Sequence, residues 1–170
     1  MAAAEKRAAA VILCAGKGSR MNDDSRSKVC FDCAGVPVIR RIVANMRAGG
    51  VDRFTIVVGH QADSVMACLC GEPGVTYAYQ REQKGTGHAA LCGLETLADL
   101  GYEGPVIVSM GDKIVESSVV ADLLAAHPGK TAVWAVQPAA CNASGGRIAE
   151  RDGEEDLLAA VRQRLQPRRR

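Results

Sequence analysis

Between positions 11 and 28 the chain reads VILCAGKGSRMNDDSRSK, an apolar run that turns abruptly into glycine, lysine, arginine and aspartate. Gly16 and Gly18 lack a Cβ and can bring backbone N–H groups close to a ligand. Lys17, Arg20, Arg26 and Lys28 surround that point with positive charge. This chemistry suits phosphate, and two common phosphate loops can be tested against it. A Walker A loop needs GxxxxGK followed by Ser or Thr, which AGKGSR does not supply. A dinucleotide fingerprint needs GxGxxG at the start of a helix, but Met21 stands at the third glycine position and the NDDSRS that follows is polar and turn-prone. What remains is a longer loop with several cations. It suits a triphosphate held along its length, with Arg20 and Lys28 neutralising charge on a departing pyrophosphate.

The elements around this loop must form a frame that aims it. AAAVILCAG reads as a strand buried on both faces, as in parallel sheets. VCFDCAGVP is a short extended piece with a turn, and VIRRIVANMRAGG predicts a helix that turns Val38, Ile39, Ile42, Val43 and Met46 to one side and stops at Gly49 and Gly50. RFTIVVGH is a second buried strand, DSVMACLC a helix capped by Asp63 or Ser64, and VTYAYQ a third strand. GTGHAALCGLETLADL, PVIVSMGD, SSVVADLLAAH and TAVWAVQ continue as helix, strand, helix and strand. Such alternation predicts a mainly parallel sheet with helices on both faces. Ligands then bind beyond the carboxyl ends of the strands, where GKGSR, QREQKGTGH and MGD fall. His88 is expected to pack and hydrogen-bond in the first turn of its helix, and His60 and His127 are assigned no chemistry. The expected division is one domain over residues 1–152, with a tail over 153–170 that is either strand and turn or an amphipathic helix.

Composition excludes several classes. The formal net charge is +2 and the charges are dispersed, with Arg168, Arg169 and Arg170 as a solvated tail. Aromatic residues make up 4% of the 170 residues, too few for a base-stacking surface, so no nucleic-acid partner is expected. AAAVILCA after Glu5, Lys6 and Arg7 loosely imitates a signal peptide but leads into the glycine loop as a first strand would. No stretch approaches the ~20 apolar residues of a membrane span, and a soluble, cytoplasmic protein without a membrane partner is expected. Seven cysteines include a CxxC at Cys30 and Cys33 and a CxC at Cys68 and Cys70. A zinc site built from both pairs is the weaker reading; buried free thiols are the stronger.

LCAGKGSRM, then SK, QREQKGTGHA, MGD and GGRI, together resemble the sugar-1-phosphate nucleotidyltransferase family. The resemblance is strongest to the uridylyltransferase domain of bacterial bifunctional UDP-N-acetylglucosamine pyrophosphorylases. It runs from about Ala9 to Ile148. It implies a Rossmann-like nucleotidyltransferase fold and a nucleotide site formed by Leu13, Cys14, Ala15, Gly16, Gly18, Ser19, Gln80, Gly85, Thr86 and Gly111. Arg20, Lys28 and Asp112 would be the catalytic residues, Asp112 the ligand of Mg2+, and Gly146 a residue beside the sugar. Two positions depart from the family pattern: Ser27 stands where a proline is usual, and Lys113 follows the metal aspartate where the family has an uncharged residue.

The resemblance also implies the partners, UTP and a sugar 1-phosphate, with N-acetylglucosamine 1-phosphate the first to try. In that reading the reaction is uridylyl transfer with release of pyrophosphate. The alternative is a nucleotide-binding module, a truncated or split relative that does not turn over by itself, with a second copy or a complementing chain completing the site. A nicotinamide-dependent oxidoreductase is disfavoured by Met21 and by VVGH, which has no acidic residue after the second strand.

Overall fold

The computed structural model describes residues 8–16 and 26–127. Its first strand, β1 (Ala8–Leu13), has every residue buried. A 3-10 turn follows at Lys28–Cys30, then a minimal hairpin of β2 (Asp32–Cys33) and β3 (Val36–Pro37). Helix α1 (Val38–Ala48) buries Ile39, Ile42, Val43 and Met46. After it come β4 (Val51–Val58), α2 (Ala62–Cys68), β5 (Val75–Tyr79), α3 (Thr86–Asp99), β6 (Val106–Met110) and α4 (Ser117–Ala126).

The main sheet has the order β5-β4-β1-β6, and every pairing in it is parallel. β1 therefore lies inside the sheet, which explains its unbroken apolar sequence. Its alternate side chains feed two cores. Ala8, Ala10 and Ile12 pack with Ile39, Ile42, Val65 and Val120 on the face covered by α1, α2 and α4. Ala9, Val11 and Leu13 pack with Ala89, Leu94 and Leu97 of α3 on the other face. The expected α/β architecture, helices on both faces of a parallel sheet, is the one observed. Chain order runs outward from β1 through β4 to β5 and then returns to β6 on the far side of β1. The reversal opens a crevice at the carboxyl ends of β1 and β6, the usual ligand position in such sheets.

Two local expectations change. α2 begins at Ala62, not after a cap at Asp63 or Ser64. Gln61 takes a left-handed conformation at φ 55°, and its carbonyl accepts a bond from Ser64 Oγ at 2.8 Å, so the serine braces the first turn from within it. The extended piece after the loop is partly a 3-10 turn, closed by the Cys30 N–H donating to Ser27 O at 2.9 Å. The expected fifth strand, TAVWAVQ, and the tail at 153–170 lie outside the described residues. Among the described residues, no helix is long and apolar enough to cross a membrane.

Gly93 sets how closely α3 approaches the sheet. A Cβ there would collide with Val11 Cγ1 and come within 2.9 Å of Val57 Cγ2. Gly93→Ala gains roughly 1 kcal/mol of helix propensity. Overpacking of about 1–3 kcal/mol opposes that gain. The expected result is a lower melting temperature in thermal denaturation; an unchanged or higher one would show that α3 is free to move outward.

Candidate functional site

The carboxyl end of β1 is tied to both neighbours past the last strand residue. Cys14 N–H donates to Val57 O at 2.8 Å, and Gly111 N–H donates to Leu13 O at 3.0 Å. These two N–H groups are used by the sheet, so Leu13, Cys14 and Gly111 contribute shape and position. The approach is close: a Cβ on Gly111 would lie 2.5 Å from Cys14 Sγ and 2.9 Å from Leu13 O. Only glycine fits between β6 and Asp112.

A cleft of about 200 Å³ opens beside this junction, lined by Leu13, Ala15, Gly16, Gln80, Gln83, Gly85, Thr86, Ala89 and Met110. Six of these nine are expected nucleotide residues, drawn from the end of β1 and from the segment joining β5 to α3. Gly85 has a φ of 93°, a backbone conformation that favours glycine. At both Gly16 and Gly85 nothing lies within 4 Å of where a Cβ would sit. The space left by the missing side chains thus belongs to the cleft.

Gln80 is only 4% exposed. Its Nε2 lies 3.2 Å from Gly85 O and 2.9 Å from His88 Nδ1. Gln83 Nε2 donates to Ala15 O at 2.8 Å and so ties the β5–α3 segment to the end of β1. The sequence reading did not place Gln83 or His88 in the site. Their signal was present in the Q-x-x-Q-x-G-T-G-H spacing, but which group each side chain meets depends on how two distant strand ends align. His88 does occupy the first turn of α3 as a hydrogen-bonding group, as expected.

On the other side of the crevice, Lys28 Nζ and Asp112 Oδ2 are 2.6 Å apart. Two residues separated by 84 positions, both expected to be catalytic, are therefore in contact. Lys113, the unusual cation after Asp112, instead lines an apolar groove with Met46, Val106, Val108, Val120 and Leu124. The turn that carries Lys28 is anchored by Ser27 N–H donating to Ser64 Oγ at 3.1 Å. A proline at position 27 would have no such donor, so here a hydrogen bond does the work of ring rigidity. Asp112 is a carboxylate at a strand end, and among the described residues no group of three or more His, Cys, Asp or Glu side chains gathers around a metal position. That donor set fits Mg2+, which binds through one or two carboxylates and takes its remaining oxygens from phosphate and water. Gly18, Ser19, Arg20 and Gly146 lie outside the described residues.

The six described cysteines are free, and no zinc cluster forms among the described residues. Cys14 is buried beneath the Asp112 turn, and burial pushes its thiol far above the ordinary value, with Cys30 and Asp112 adding to the effect. The Cys30 thiol is pushed up to about 11, first by burial and then by its hydrogen bond with Cys68.

The frame is that of a nucleotidyltransferase. It superposes on the solved structure of a putative glucose-1-phosphate thymidylyltransferase from Bacillus anthracis with a TM-score of 0.62, at 19% identity, over 73% of this chain and 51% of that one. The chain belongs to the MobA-like NTP transferase domain family, whose model matches residues 10–167. It is 36% identical over 129 residues to the bifunctional protein GlmU of Geotalea uraniireducens, covering 75% of this chain and 28% of that protein. To GlmU of Staphylococcus saprophyticus it is 35% identical over 158 residues, 91% of this chain and 34% of that protein. The matched part thus spans only about a quarter to a third of these curated relatives.

The thiolate is the reactive form of cysteine, so the thiols should alkylate in a fixed order. Cys33 and Cys70 are exposed and should react with iodoacetamide first at pH 8; Cys14 and Cys30 should react last. Peptide mass spectrometry over a time course checks this, and early modification of Cys30 would contradict its placement. A raised thiol pKa also favours the folded state most below the unfolded thiol pKa, and this stability is lost as pH rises toward 11.

Proposed function

We propose that this chain is the nucleotide-handling domain of a sugar-1-phosphate uridylyltransferase, binding UTP with Mg2+ and transferring the uridylyl group to a sugar 1-phosphate. The observation that carries the reading is the cleft, which gathers Gly16, Gln80, Gly85 and Thr86 beside the junction of β1 and β6, where Lys28 meets Asp112. The base lies against Gly85 and Gln80, and the triphosphate runs past Gly16. A phosphate oxygen of the sugar 1-phosphate attacks the α-phosphorus of UTP in line. The new P–O bond forms as the bond to the β-phosphate oxygen breaks, and pyrophosphate leaves with that electron pair. No covalent enzyme intermediate is needed.

The chain's part is alignment and charge neutralisation. Lys28 and Arg20 offset the negative charge that grows on the departing pyrophosphate. Asp112 would hold the magnesium ion, which when bound supplies charge stabilisation to the phosphate oxygens. With Asp112 holding the ion, the Lys28 ammonium, its partner in the absence of metal, would be free to pair with the triphosphate. The sugar 1-phosphate to test first is N-acetylglucosamine 1-phosphate.

The test is pyrophosphate release by purified protein with UTP, Mg2+ and N-acetylglucosamine 1-phosphate, alongside calorimetry with UTP. Release supports transferase activity. Metal-dependent UTP binding without release would assign a binding module, and absence of UTP binding would overturn the nucleotide reading. Lys28→Ala should weaken UTP binding by roughly ten- to a hundredfold, because a charge-assisted contact to phosphate is worth about 1.5–3 kcal/mol. Lys113→Ala should leave it nearly unchanged. Equal losses in the two variants would mean that the pairing with Asp112 does not mark the phosphate side.

A further inference from the structure

The turn that carries Lys28 rests on α2 through sulfur as well as through the Ser27 bond. Ser64 Oγ gives its one hydrogen to Gln61 O and accepts from Ser27 N–H at 3.1 Å and from the Cys30 thiol at 3.7 Å. Ser64 and Cys68 stand four residues apart on α2, so their side chains lie one above the other on the same face. That face is turned to Cys30: Cys68 packs against the core cluster that holds Cys30, and the two thiols are hydrogen-bonded to each other. Arg40 braces the end of the helix by donating to the carbonyls of Cys68 and Cys70. On its other side the same turn meets the Asp112 junction. Lys28 Nζ reaches Asp112, and Val29 packs under Gly111, where a Cβ would stand 3.2 Å from Val29 Cγ1. Neither thiol has a part in the proposed transfer.

We propose that Cys30 and Cys68 form a reversible disulfide that draws the Lys28 turn toward α2 and lowers affinity for the triphosphate. This adds regulation to the proposed nucleotide site and rests on that reading. The pair joins an accessible thiol to an enclosed one, since Cys68 is half-buried and Cys30 is 1% exposed. A small disulfide such as glutathione disulfide reaches Cys68 first. The Cys68 thiol gives its proton to water, its thiolate attacks one sulfur, and a glutathione thiolate leaves. Cys30 then loses its proton and attacks the Cys68 sulfur of the mixed disulfide, and the second glutathione leaves. Two protein thiols are thus oxidised by two electrons, and one glutathione disulfide is reduced to two molecules of glutathione. Burial keeps Cys30 mostly protonated and slows the second step, but the fold supplies the attacking sulfur at contact distance instead of by diffusion. The new bond brings the sulfurs closer than any unbonded contact. With α2 braced by Arg40, the single turn is the part that gives way, and Lys28 withdraws from Asp112 and from the mouth of the cleft.

The experiment incubates the full chain with glutathione disulfide or with dithiothreitol, maps the disulfides by non-reducing peptide mass spectrometry, and titrates UTP in the presence of Mg2+ by calorimetry. The oxidised wild-type chain should yield a peptide pair linked through Cys30 and Cys68. It should bind UTP about tenfold more weakly than the reduced chain, the lower end of the loss expected for Lys28→Ala. Dithiothreitol should restore the affinity. Cys68→Ser should bind UTP as the reduced wild-type chain does under both conditions, and Cys68→Ala takes its place should the serine variant fail to fold. A chain with both Cys33→Ser and Cys70→Ser, which lacks the exposed thiols, should respond as the wild type does. Absence of the Cys30–Cys68 link overturns the proposal, as does a link that leaves UTP affinity unchanged or a loss of affinity that persists in Cys68→Ser. These outcomes leave the nucleotide site standing. Failure of the reduced chain to bind UTP would instead overturn the nucleotide reading, and the switch with it.

Discussion

Everything in this molecule hangs on β1 being hydrogen-bonded on both edges and buried on both faces. A strand of Ala, Val, Ile and Leu has no side chain that prefers water, and the parallel order β5-β4-β1-β6 gives it apolar neighbours above, below and to each side. Parallel pairing sends all four strand ends the same way. The end of β1 through Gly16, the segment after β5 and the turn after β6 then meet along one edge, although they lie far apart in the chain. The bonds from Cys14 N–H to Val57 O and from Gly111 N–H to Leu13 O carry the pairing one residue further, to the rim of the cleft.

Glycine serves two opposite purposes around that rim. Gly59, Gly93 and Gly111 face inward, where a Cβ would meet Ala15, Val11 or Cys14 at less than ordinary contact distance. They allow the loops and α3 to close tightly on the sheet. Gly16 and Gly85 face outward into space that no described atom fills. The first group makes the frame dense enough to hold the second in place, and density of this kind resists small displacements.

Electrostatic interactions at the site are strong in geometry and modest in energy. The Lys28–Asp112 side chains are 33% and 36% exposed, and an ion pair so open to water is worth about 0–1 kcal/mol. It orders both side chains but yields readily to a partner of higher charge, as the proposed role toward phosphate requires. The amide of Gln80 is the contrasting case. It is nearly buried, its NH2 group donates to the Gly85 carbonyl, and turning it over would set two oxygens against each other in a setting where that is costly.

Among the described residues the order of strands and helices is legible in the chain, because each depends on local periodicity: the unbroken apolar run of β1, the 3.6-residue face of α1 and the glycines that end it. The three segments that line the candidate site are legible as well, since motif spacing survives in the chain whether or not it is folded. Local reading misplaced the start of α2, where a left-handed Gln61 and an internal Ser64 bond replace an ordinary cap. Which cation meets Asp112 is a matter of packing. Lys113 is its chain neighbour, yet Lys28 is its partner, because the turn after β6 directs the two side chains to different surfaces and the Ser27–Ser64 bond anchors the turn of Lys28 within reach. The orientation of Gln80 was likewise hidden. A glutamine in a sequence is both donor and acceptor, and which end it shows is settled by the Gly85 carbonyl that the fold places against it.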